Sequence, residues 1–411
     1  MERTVPVPIT TPGVWRKMGV QFQKTTVEIL DKSLNRIAVV QTFYPLDKAG
    51  QIIRYSKELD DWGTCSFRIS AFDPLLTTYG DIIQPHKYHV RLVRGGVTVW
   101  QGAIIANPKR TSSYIEIKAV QYIWYLDHIL VSRTSPDGTG NTNIFRIFNS
   151  GTMATAVTSI INETITKLSG VHILSGMTLG TIENPNYPPN TVDANSNNIG
   201  GQPWNFTSYW TLQFDFHSIL YILKSFGIYA YADFEIDNNL VFNFKKQIGN
   251  NRKYDVTFSY ASSGNVLEYN LPRLGDRMAN SIVGIATDGN GVILQSTQSD
   301  EISKQTYGLM ERVTSFADVK AVNALNTRLA AELPLVGTPD ETNVQLTLNE
   351  KAYPYGQFDV GDIVTVSIKN KSVNFVDNRR VVGITVDVHE TGRETLVVQT
   401  NHPIAGQFGA V

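Results

Sequence analysis

Apolar and polar residues alternate over much of the first third of the chain. The runs 65–70, 88–94, 97–102 and 114–119 each repeat with a period of two. Side chains of a β-strand point to opposite faces in turn, so this pattern predicts a closed or curved sheet. The last run continues into an apolar stretch, 120–130, whose i, i+3, i+4, i+7 spacing predicts a helix docked on that sheet.

The middle of the chain, from 131 to 250, follows a different pattern. Apolar residues at helical spacing predict helices over 153–168 and 216–226, and a hairpin is predicted over 228–245. A long polar segment, Glu183 to Gln202, separates the two helices. Loops of that length are often functional, and this one is predicted to be ordered by a partner.

Strand patterns return after residue 251. Segments 280–286 and 292–296 flank a glycine-rich turn and predict a hairpin. A helix is predicted to begin near Ser315, where the spacing to an aspartate fits a capping box, and to stop before Pro334. Strands predicted between 362 and 399 are expected to close a small barrel.

The predicted fold class is mainly β with α+β insertions. The predicted limits are an N-terminal arm over 1–20, a first β-with-helix domain over 21–130, an inserted α/β domain over 131–250, a second β-with-helix domain over 251–345 and a small C-terminal β-barrel domain over 346–411. Prolines near the N-terminus favour extended backbone and define the arm. The two larger β-with-helix blocks have similar length and composition, which is compatible with duplication.

Composition agrees with a folded, multidomain protein. The chain has 411 residues, of which 42% are hydrophobic and 18% charged. Its 36 basic and 37 acidic residues give no electrostatic reason to expect a nucleic-acid or membrane partner. We expect neither a secretory leader nor a membrane span, because the N-terminus has no charged-then-apolar stretch and no long apolar window follows. The single cysteine, Cys65, excludes an internal disulfide and is predicted to be a small buried apolar residue.

Candidate metal ligands are sparse. The seven histidines are scattered: His86, His89, His128, His172, His217, His389 and His402. Only His86 and His89 are close, and their offset on a strand would place them on opposite faces, so no metal site is predicted. The segment 137–143 resembles a calcium loop but lacks the closing glutamate, so a plain turn is favoured.

Charged clusters are the remaining candidates for chemistry. Two acidic groups stand out: Glu58, Asp60 and Asp61, and Asp233, Glu235 and Asp237. Glycoside hydrolysis needs two carboxylates about 5 to 10 Å apart across a cleft, but neither group has surrounding aromatic residues, so solvated strand ends are the favoured interpretation. The pair Arg379-Arg380 is isolated and is predicted to be solvated rather than to bind nucleic acid. No catalytic, cofactor-binding or metal residue is assigned, and no enzyme is expected.

Several short segments resemble, in their order along the chain, those of phage tail hub (baseplate hub) proteins. They are Leu59–Phe67, Val99–Ile104, Gly264–Tyr269 followed by Asn280–Gly284, and Tyr355–Val364. This group includes the N-terminal hub part of tail-associated lysin-type proteins and the hub of type VI secretion spikes. The likeness extends over about 20–400, and the order of the motifs carries it more than any single one.

The resemblance implies two tail-tube-like β-barrels in each subunit and a homotrimer that forms a pseudo-hexameric ring. Such a ring joins the hexameric tail tube and the distal tail protein ring to a tip spike or fibre, and gates genome passage. Other implied partners are the C-terminus of the tape-measure protein and DNA, which passes through the lumen without specific contacts. The implied location is the distal tail tip of the virion, after synthesis in the host cytoplasm, and no cofactor is implied.

Two alternatives remain at this point. The chain could be another tail-tip component, such as a distal tail protein or a receptor-binding protein. Less favoured is a carbohydrate-active tail enzyme that uses one of the acidic clusters.

Overall fold

The computed structural model describes residues 25–79, 83–131, 145–187, 197–206, 212–261, 264–272, 275, 278–288, 290–316, 319–337, 344–348 and 357–401. The predicted arm, the calcium-like segment 137–143 and the middle of the Glu183 to Gln202 segment lie outside these residues. Predictions for those parts of the chain stay predictions.

Strands dominate the described residues. In chain order they are β1 (Thr25–Leu30), β2 (Arg36–Val39), β3 (Gln51–Glu58), β4 (Thr64–Ser70), β5 (His89–Arg94), β6 (Val97–Ala106), β7 (Tyr114–Gln121), β8 (Phe145–Phe148), β9 (Gly151–Thr152), β10 (Thr178–Ile182), β11 (Asn205–Phe206), β12 (Leu212–Asp215), β13 (Asp233–Ile236), β14 (Val241–Lys245), β15 (Thr257–Tyr260), β16 (Val266–Asn270), β17 (Ser281–Thr287), β18 (Ile293–Ser299), β19 (Glu311–Phe316), β20 (Val344–Leu348), β21 (Ile363–Lys369), β22 (Asn374–His389) and β23 (Glu394–Asn401). The α-helices are α1 (Pro74–Tyr79), α2 (Met153–Lys167), α3 (Ile219–Ala230), α4 (Glu301–Tyr307) and α5 (Val322–Val336). Two short 3-10 helices cover Tyr122–Asp127 and Ile173–Gly176.

One large sheet contains strands from both ends of the chain. Its main path runs β16-β20-β23-β22-β3-β4-β7-β6-β5-β1-β2, and β15 and β21 branch from β22. Alternate side chains of these strands, such as Ile53 and Tyr55 on β3, are buried in a single hydrophobic core. The predicted alternation in the first third of the chain is therefore confirmed, because one face of each strand is buried and the other is more exposed.

The long strand β22 connects two barrel-like halves of this sheet. Its first part, Asn374–Arg380, pairs with β21, and its second part, Gly383–His389, pairs with β3. In the half that contains β21, the side chain of Asn265 joins β15 to β16: its Nδ2 donates to the Thr257 carbonyl (2.7 Å), and its Oδ1 accepts from the Ser259 N–H (2.7 Å). Six strands, β15-β21-β22-β23-β20-β16, thus close on themselves.

A buried ion pair brings the other half of the sheet back to β23. The Arg94 guanidinium at the end of β5 contacts the Glu394 carboxylate at the start of β23 (Nη2 to Oε2, 2.9 Å). Thr25 of β1 donates to the same carboxylate (3.2 Å). Glu394 is buried, so this pair is protected from solvent screening and holds the first strands against the last ones.

A second hydrophobic core lies under the remaining elements. Helices α2 and α3 pack with β13 and β14, and residues of β17, β19 and α5 belong to the same core. The sheet β18-β17-β19 carries α5 on one face, and α5 contacts α3. The prediction of mainly β structure with helical insertions is confirmed.

The strand pairing crosses two predicted domain limits. Strands β21 to β23 pair with β3, β15 and β20 rather than only with one another. The segment β17 to α5, predicted within the second β-with-helix domain, packs with the inserted helices. The limits of the arm and the four domains remain a prediction, which this pairing constrains.

Several predicted elements differ from the observed ones. The apolar stretch 120–130 is not a regular helix: β7 continues to Gln121 and a 3-10 helix follows, because Tyr122, Ile123 and Leu126 are buried beneath the sheet. The helix expected from Ser315 starts at Val322, since Ser315 pairs with Ile285 in the small sheet. Helix α5 also includes Pro334 in its last turn.

Helices α2 and α3 were predicted, but α3 extends four residues beyond its predicted end and stops at Tyr231, which takes a left-handed φ of 49°. The hairpins β13/β14 and β17/β18 are confirmed. The first strand of β13/β14 begins at Asp233 and not at residue 228, because residues 228–230 belong to α3. Cys65 is buried within β4, as predicted, and burial raises the pKa of its thiol. In the part of the chain that the structure describes, no helix has the length and apolar character to cross a bilayer.

Candidate functional site

The site lies at the middle of β22, where the two halves of the large sheet meet the inserted unit. Strand β3 ends at Glu58, and Asp60 then takes a left-handed φ of 56°. Aspartate tolerates this conformation better than most residues. The turn directs Asp60 toward β13, and its Oδ1 accepts a hydrogen bond from the Phe234 N–H (2.7 Å).

Arg380 and Asp233 form an ion pair in which both side chains are fully buried. Arg380 Nη1 lies 3.0 Å from Asp233 Oδ1, and Nη2 contacts Oδ2. Arg380 also donates to the carbonyls of Ile248 (2.8 Å, from Nη2) and Gly361 (3.1 Å, from Nε). A buried charge is stable only when paired and hydrogen-bonded, and these contacts satisfy that condition. The pair thereby joins β22, β13 and two loops.

Asp60 adds a second carboxyl group to this pair. Burial and the neighbouring Asp233 carboxylate raise the pKa of Asp60 well above its usual range. Both effects disfavour the charged form of Asp60.

A cleft of about 530 Å³ opens over this cluster. Its lining includes members of both acidic groups singled out in the sequence, together with two further aspartates: Glu58, Asp60, Asp61, Glu235, Asp237, Asp359 and Asp362. The structure therefore brings together two groups that are about 170 residues apart in the chain. The interpretation as solvated strand ends is wrong for Asp60 and Asp233, because both are buried.

Most of these carboxylates have structural partners. Lys224 Nζ lies 2.7 Å from Asp61, and Lys57 Nζ lies 2.8 Å from Asp359. Glu58 is different: it has no hydrogen-bond partner among the described contacts, and burial, with a smaller contribution from Asp61, raises its pKa to about 7. The cleft thus contains one acid poised near neutral pH among carboxylates that hold segments together.

Aspartates also order the loops beside the cleft. Asp362 Oδ1 accepts from the Asn250 N–H (2.7 Å), and Asp237 Oδ1 accepts from the Asn239 N–H (2.8 Å). Glu235 accepts from the Asn243 side chain (3.2 Å). These contacts fix backbone geometry.

Sequence reasoning missed the central residue of the site. Arg379 and Arg380 were predicted to be a solvated pair, but their exposed fractions are 1% and 0%. Arg379 pairs with Asp377 (2.9 Å) and lies over the Phe375 ring. The available signal was the position of both arginines at the start of an apolar strand, where solvated charges are uncommon.

Two tryptophan-glycine motifs, Trp62-Gly63 and Trp100-Gln101-Gly102, pack around the Ser56 carbonyl. Trp100 Nε1 donates to the Ser56 carbonyl (2.9 Å). A Cβ on Gly63 would lie 1.8 Å from the same oxygen, and one on Gly102 would lie 2.6 Å from the Trp100 ring. Only glycine fits at either place, so these motifs are packing requirements of β3, β4 and β6.

The predicted placement of His86 and His89 is wrong. Strand β5 begins at His89, and His86 precedes it with a left-handed φ of 60°, so the alternation of a strand does not apply. Both residues line one cavity together with His172. Within the described ranges, no three His, Cys, Asp or Glu side chains are grouped so as to hold a metal ion.

Comparison with known proteins finds similarity in structure only. No family model matches the sequence. No curated protein matches it either. Solved structures do resemble it, and all those described below are tail proteins.

The 43 kDa tail protein of prophage MuSo2 from Shewanella oneidensis aligns over 92% of this chain and 99% of its own, with a TM-score of 0.58 and 12% identity. The tail protein from Neisseria meningitidis MC58 aligns over 92% and 96%, with a TM-score of 0.56 and 11% identity. Prophage tail protein gp18 from Listeria monocytogenes EGD-e aligns over 92% and 94%, with a TM-score of 0.52 and 12% identity.

These alignments cover nearly the whole of each chain, so the likeness includes both cores and not one common substructure. The identities are too low to carry residue roles from one protein to another. The fold expected from the hub resemblance is confirmed: this chain has the fold of phage and prophage tail proteins.

Proposed function

We propose that this chain is a structural hub protein of the tail tip of a tailed bacteriophage. Three copies form a pseudo-hexameric ring that joins the hexameric tail tube and distal tail protein to a tip spike or fibre and gates genome passage. The observation that carries the proposal is the structural likeness to three tail proteins over 92% of the chain.

The construction of the sheet supports this role. Two barrel-like halves share β22, so strands from both ends of the chain form one continuous sheet. In the proposed ring, this sheet is the wall that surrounds the lumen. A subunit with two such halves can present two wall segments, so three subunits can match a six-fold tube. The buried cluster of Arg380, Asp233 and Asp60 lies at the junction of the halves, where its hydrogen bonds fix their arrangement.

The proposed partners are two other copies of the chain, the distal tail protein ring, the C-terminus of the tape-measure protein, and a spike or fibre. DNA passes through the lumen without specific contacts, which agrees with a formal net charge of −1. The proposed location is the distal end of the virion tail. Catalysis is not part of this role, because the carboxylates of the cleft are largely engaged in structural contacts.

Sedimentation equilibrium of the purified full chain tests the oligomeric state. We expect a species of three times the 45.7 kDa chain mass over a range of protein concentrations. A chain that stays monomeric, alone and after mixing with its distal tail protein, would contradict the ring. A six-copy assembly would instead favour the alternative of a distal tail component.

A carbohydrate-active tail enzyme is the second candidate, and one observation favours it. Both acidic groups line a single cleft, in which Glu58 has a pKa of about 7 and could act as a general acid. The test is release of reducing sugar from host-envelope glycans, with Glu58→Gln and Glu235→Gln as variants. Turnover that either variant abolishes supports the enzyme; its absence in the wild-type chain removes this candidate.

A further inference from the structure

A second cavity, of about 600 Å³, lies where the first strands meet the inserted unit. The turn between β1 and β2 contributes Lys32 and Ser33, and the approach to β5 contributes His86, Lys87 and His89. Its opposite side consists of Tyr125 from the first 3-10 helix and the segment 170–176 that follows α2. The cavity thus belongs to neither core alone, and the contacts of the acidic cleft do not involve it.

The lining of this cavity is basic. It contains two lysines, three histidines and two serines, and no acidic side chain among its described residues. The chain as a whole is balanced, with 36 basic and 37 acidic residues, so this local excess is not a consequence of composition. Lysine, imidazole and hydroxyl groups are donors to anionic oxygens.

His89 is the most buried member of this group. It is 2% exposed, and its Nδ1 has no hydrogen-bond partner among the described contacts. A buried polar atom without a partner carries a cost, and the residue that carries it lines the cavity. The ring packs against Tyr122, with the centroids 5.6 Å apart, so it is held in place without that bond.

His172 faces the cavity from the inserted unit with a defined tautomer. Its Nδ1 accepts a hydrogen bond from the Leu174 N–H (3.1 Å), so the ring proton of the neutral form is on Nε2. The Tyr125 ring meets His172 edge to face, with the centroids 4.3 Å apart. His172 therefore offers a donor from a fixed ring.

The imidazoles repel one another when protonated. Burial and His172 lower the pKa of His89 to about 4, and burial and His86 lower the pKa of His172. Asp31, in the turn between β1 and β2, raises the pKa of His89. Its carboxylate already accepts hydrogen bonds from the Ser33 and Asn35 N–H groups. The lysines Lys32 and Lys87 and the phenols of Tyr122 and Tyr125 also lie around the cavity. Arg91, on the same strand as His89, is paired with Glu28 of β1 (3.4 Å), so that carboxylate is already engaged by a cation.

We propose that this cavity binds a compact tetrahedral oxyanion of the phosphate class, either free phosphate or a terminal phosphomonoester. The anion accepts from His89 and His172 inside the cavity and from Lys32 and Lys87 at its mouth. An anion between the histidines stabilises their protonated forms, so binding takes up a proton. Binding therefore tightens as the pH falls.

Calorimetric titration of the full chain with inorganic sulfate tests the site, because the charge of sulfate does not change over the pH range used. We expect the dissociation constant to fall about tenfold between pH 7.5 and pH 5.5, with proton uptake seen as a dependence of the heat on buffer ionisation. Titrations with inorganic phosphate and glycerol phosphate at pH 5.5 separate the sources: tighter binding of glycerol phosphate identifies a phosphomonoester, and tighter binding of phosphate identifies the free ion.

Two variants keep the test falsifiable if one fails to fold. We expect His89→Gln to reduce the pH dependence and weaken binding more than tenfold. We expect the exposed Lys87→Ala to weaken sulfate binding severalfold, while His389→Gln, outside the cavity, leaves it unchanged. No binding of sulfate or phosphate at millimolar concentration, or equal affinity in wild type, His89→Gln and Lys87→Ala, would overturn the proposal.

Discussion

Arg380 donates hydrogen bonds to Asp233 and to the carbonyls of Ile248 and Gly361, so its replacement affects three segments at once. We predict that Arg380→Met lowers the free energy of unfolding by about 3 to 5 kcal/mol, because Asp233 is left buried without a cation. Urea unfolding followed by fluorescence measures the change. The double variant Arg380→Met/Asp233→Leu is expected to recover part of the loss.

The control for this prediction is an exposed ion pair. Arg36 pairs with Glu28 at 3.1 Å, but its side chain is 61% exposed. Arg36→Ala is expected to cost less than about 1 kcal/mol. If Arg380→Met costs no more than Arg36→Ala, the buried cluster is not a structural joint.

Glu58 gives the stability of the protein a pH dependence of known sign. Its folded pKa, about 7, is raised above the ordinary value of 4.5. Its stabilising contribution is therefore complete below about pH 4.5 and is lost as the pH rises through about 7. We predict that the free energy of unfolding of the wild-type chain falls, relative to Glu58→Gln, by about 2 kcal/mol between pH 5 and pH 8.5.

Comparing the two chains at each pH isolates this residue from the buried histidines and from the other carboxyl groups. The lowered pKa of His89 makes the free energy of unfolding decrease as the pH falls below about 6.5. This effect is the same in wild type and in Glu58→Gln. Parallel stability curves for wild type and Glu58→Gln would show that Glu58 does not titrate in this range.

At the scale of the elements, contacts between strand backbones determine where glycine is required. We predict that Gly63→Ala lowers the free energy of unfolding by at least about 2 kcal/mol, because the added Cβ meets the Ser56 carbonyl between β3 and β4. Thermal unfolding measures the effect. Gly176→Ala is the matched control, since no atom lies within 4 Å of its added Cβ. Similar losses in both variants would contradict this account of the motif.

The elements themselves were largely predictable from local patterns. Alternation in β4 to β7 and helical spacing in α2 describe which face is buried, and that information is local. The prediction failed where tertiary contacts outweigh local pattern. Ser315 has a side chain suited to a helix N-cap, but it lies in β19, which pairs with β17. The apolar stretch after β7 forms a 3-10 helix whose apolar residues are buried beneath the sheet.

At the scale of the whole molecule, the arrangement of the candidate site was not predictable. Asp60, Asp233 and Arg380 come from three distant parts of the chain and meet only because β22 passes from β21 to β3. No periodicity in the sequence encodes that crossing. The same is true of His89 and His172, which different units contribute to one cavity. The hub resemblance, by contrast, rested on the order of motifs along the chain, and the fold agrees with it.

The structural role of the tryptophan-glycine motifs is also apparent only in the whole molecule. They pack the first strands of a wall whose other strands come from the end of the chain. In the proposed hub, the close packing at these motifs maintains the shape of the sheet.

Electron cryomicroscopy of intact particles that carry this chain, reconstructed without imposed symmetry, tests the central claim most directly. The account predicts three copies around the tail axis at the distal end, each contributing two wall segments to a pseudo-six-fold ring. Six copies at that position, or copies located away from the tail tip, would contradict it.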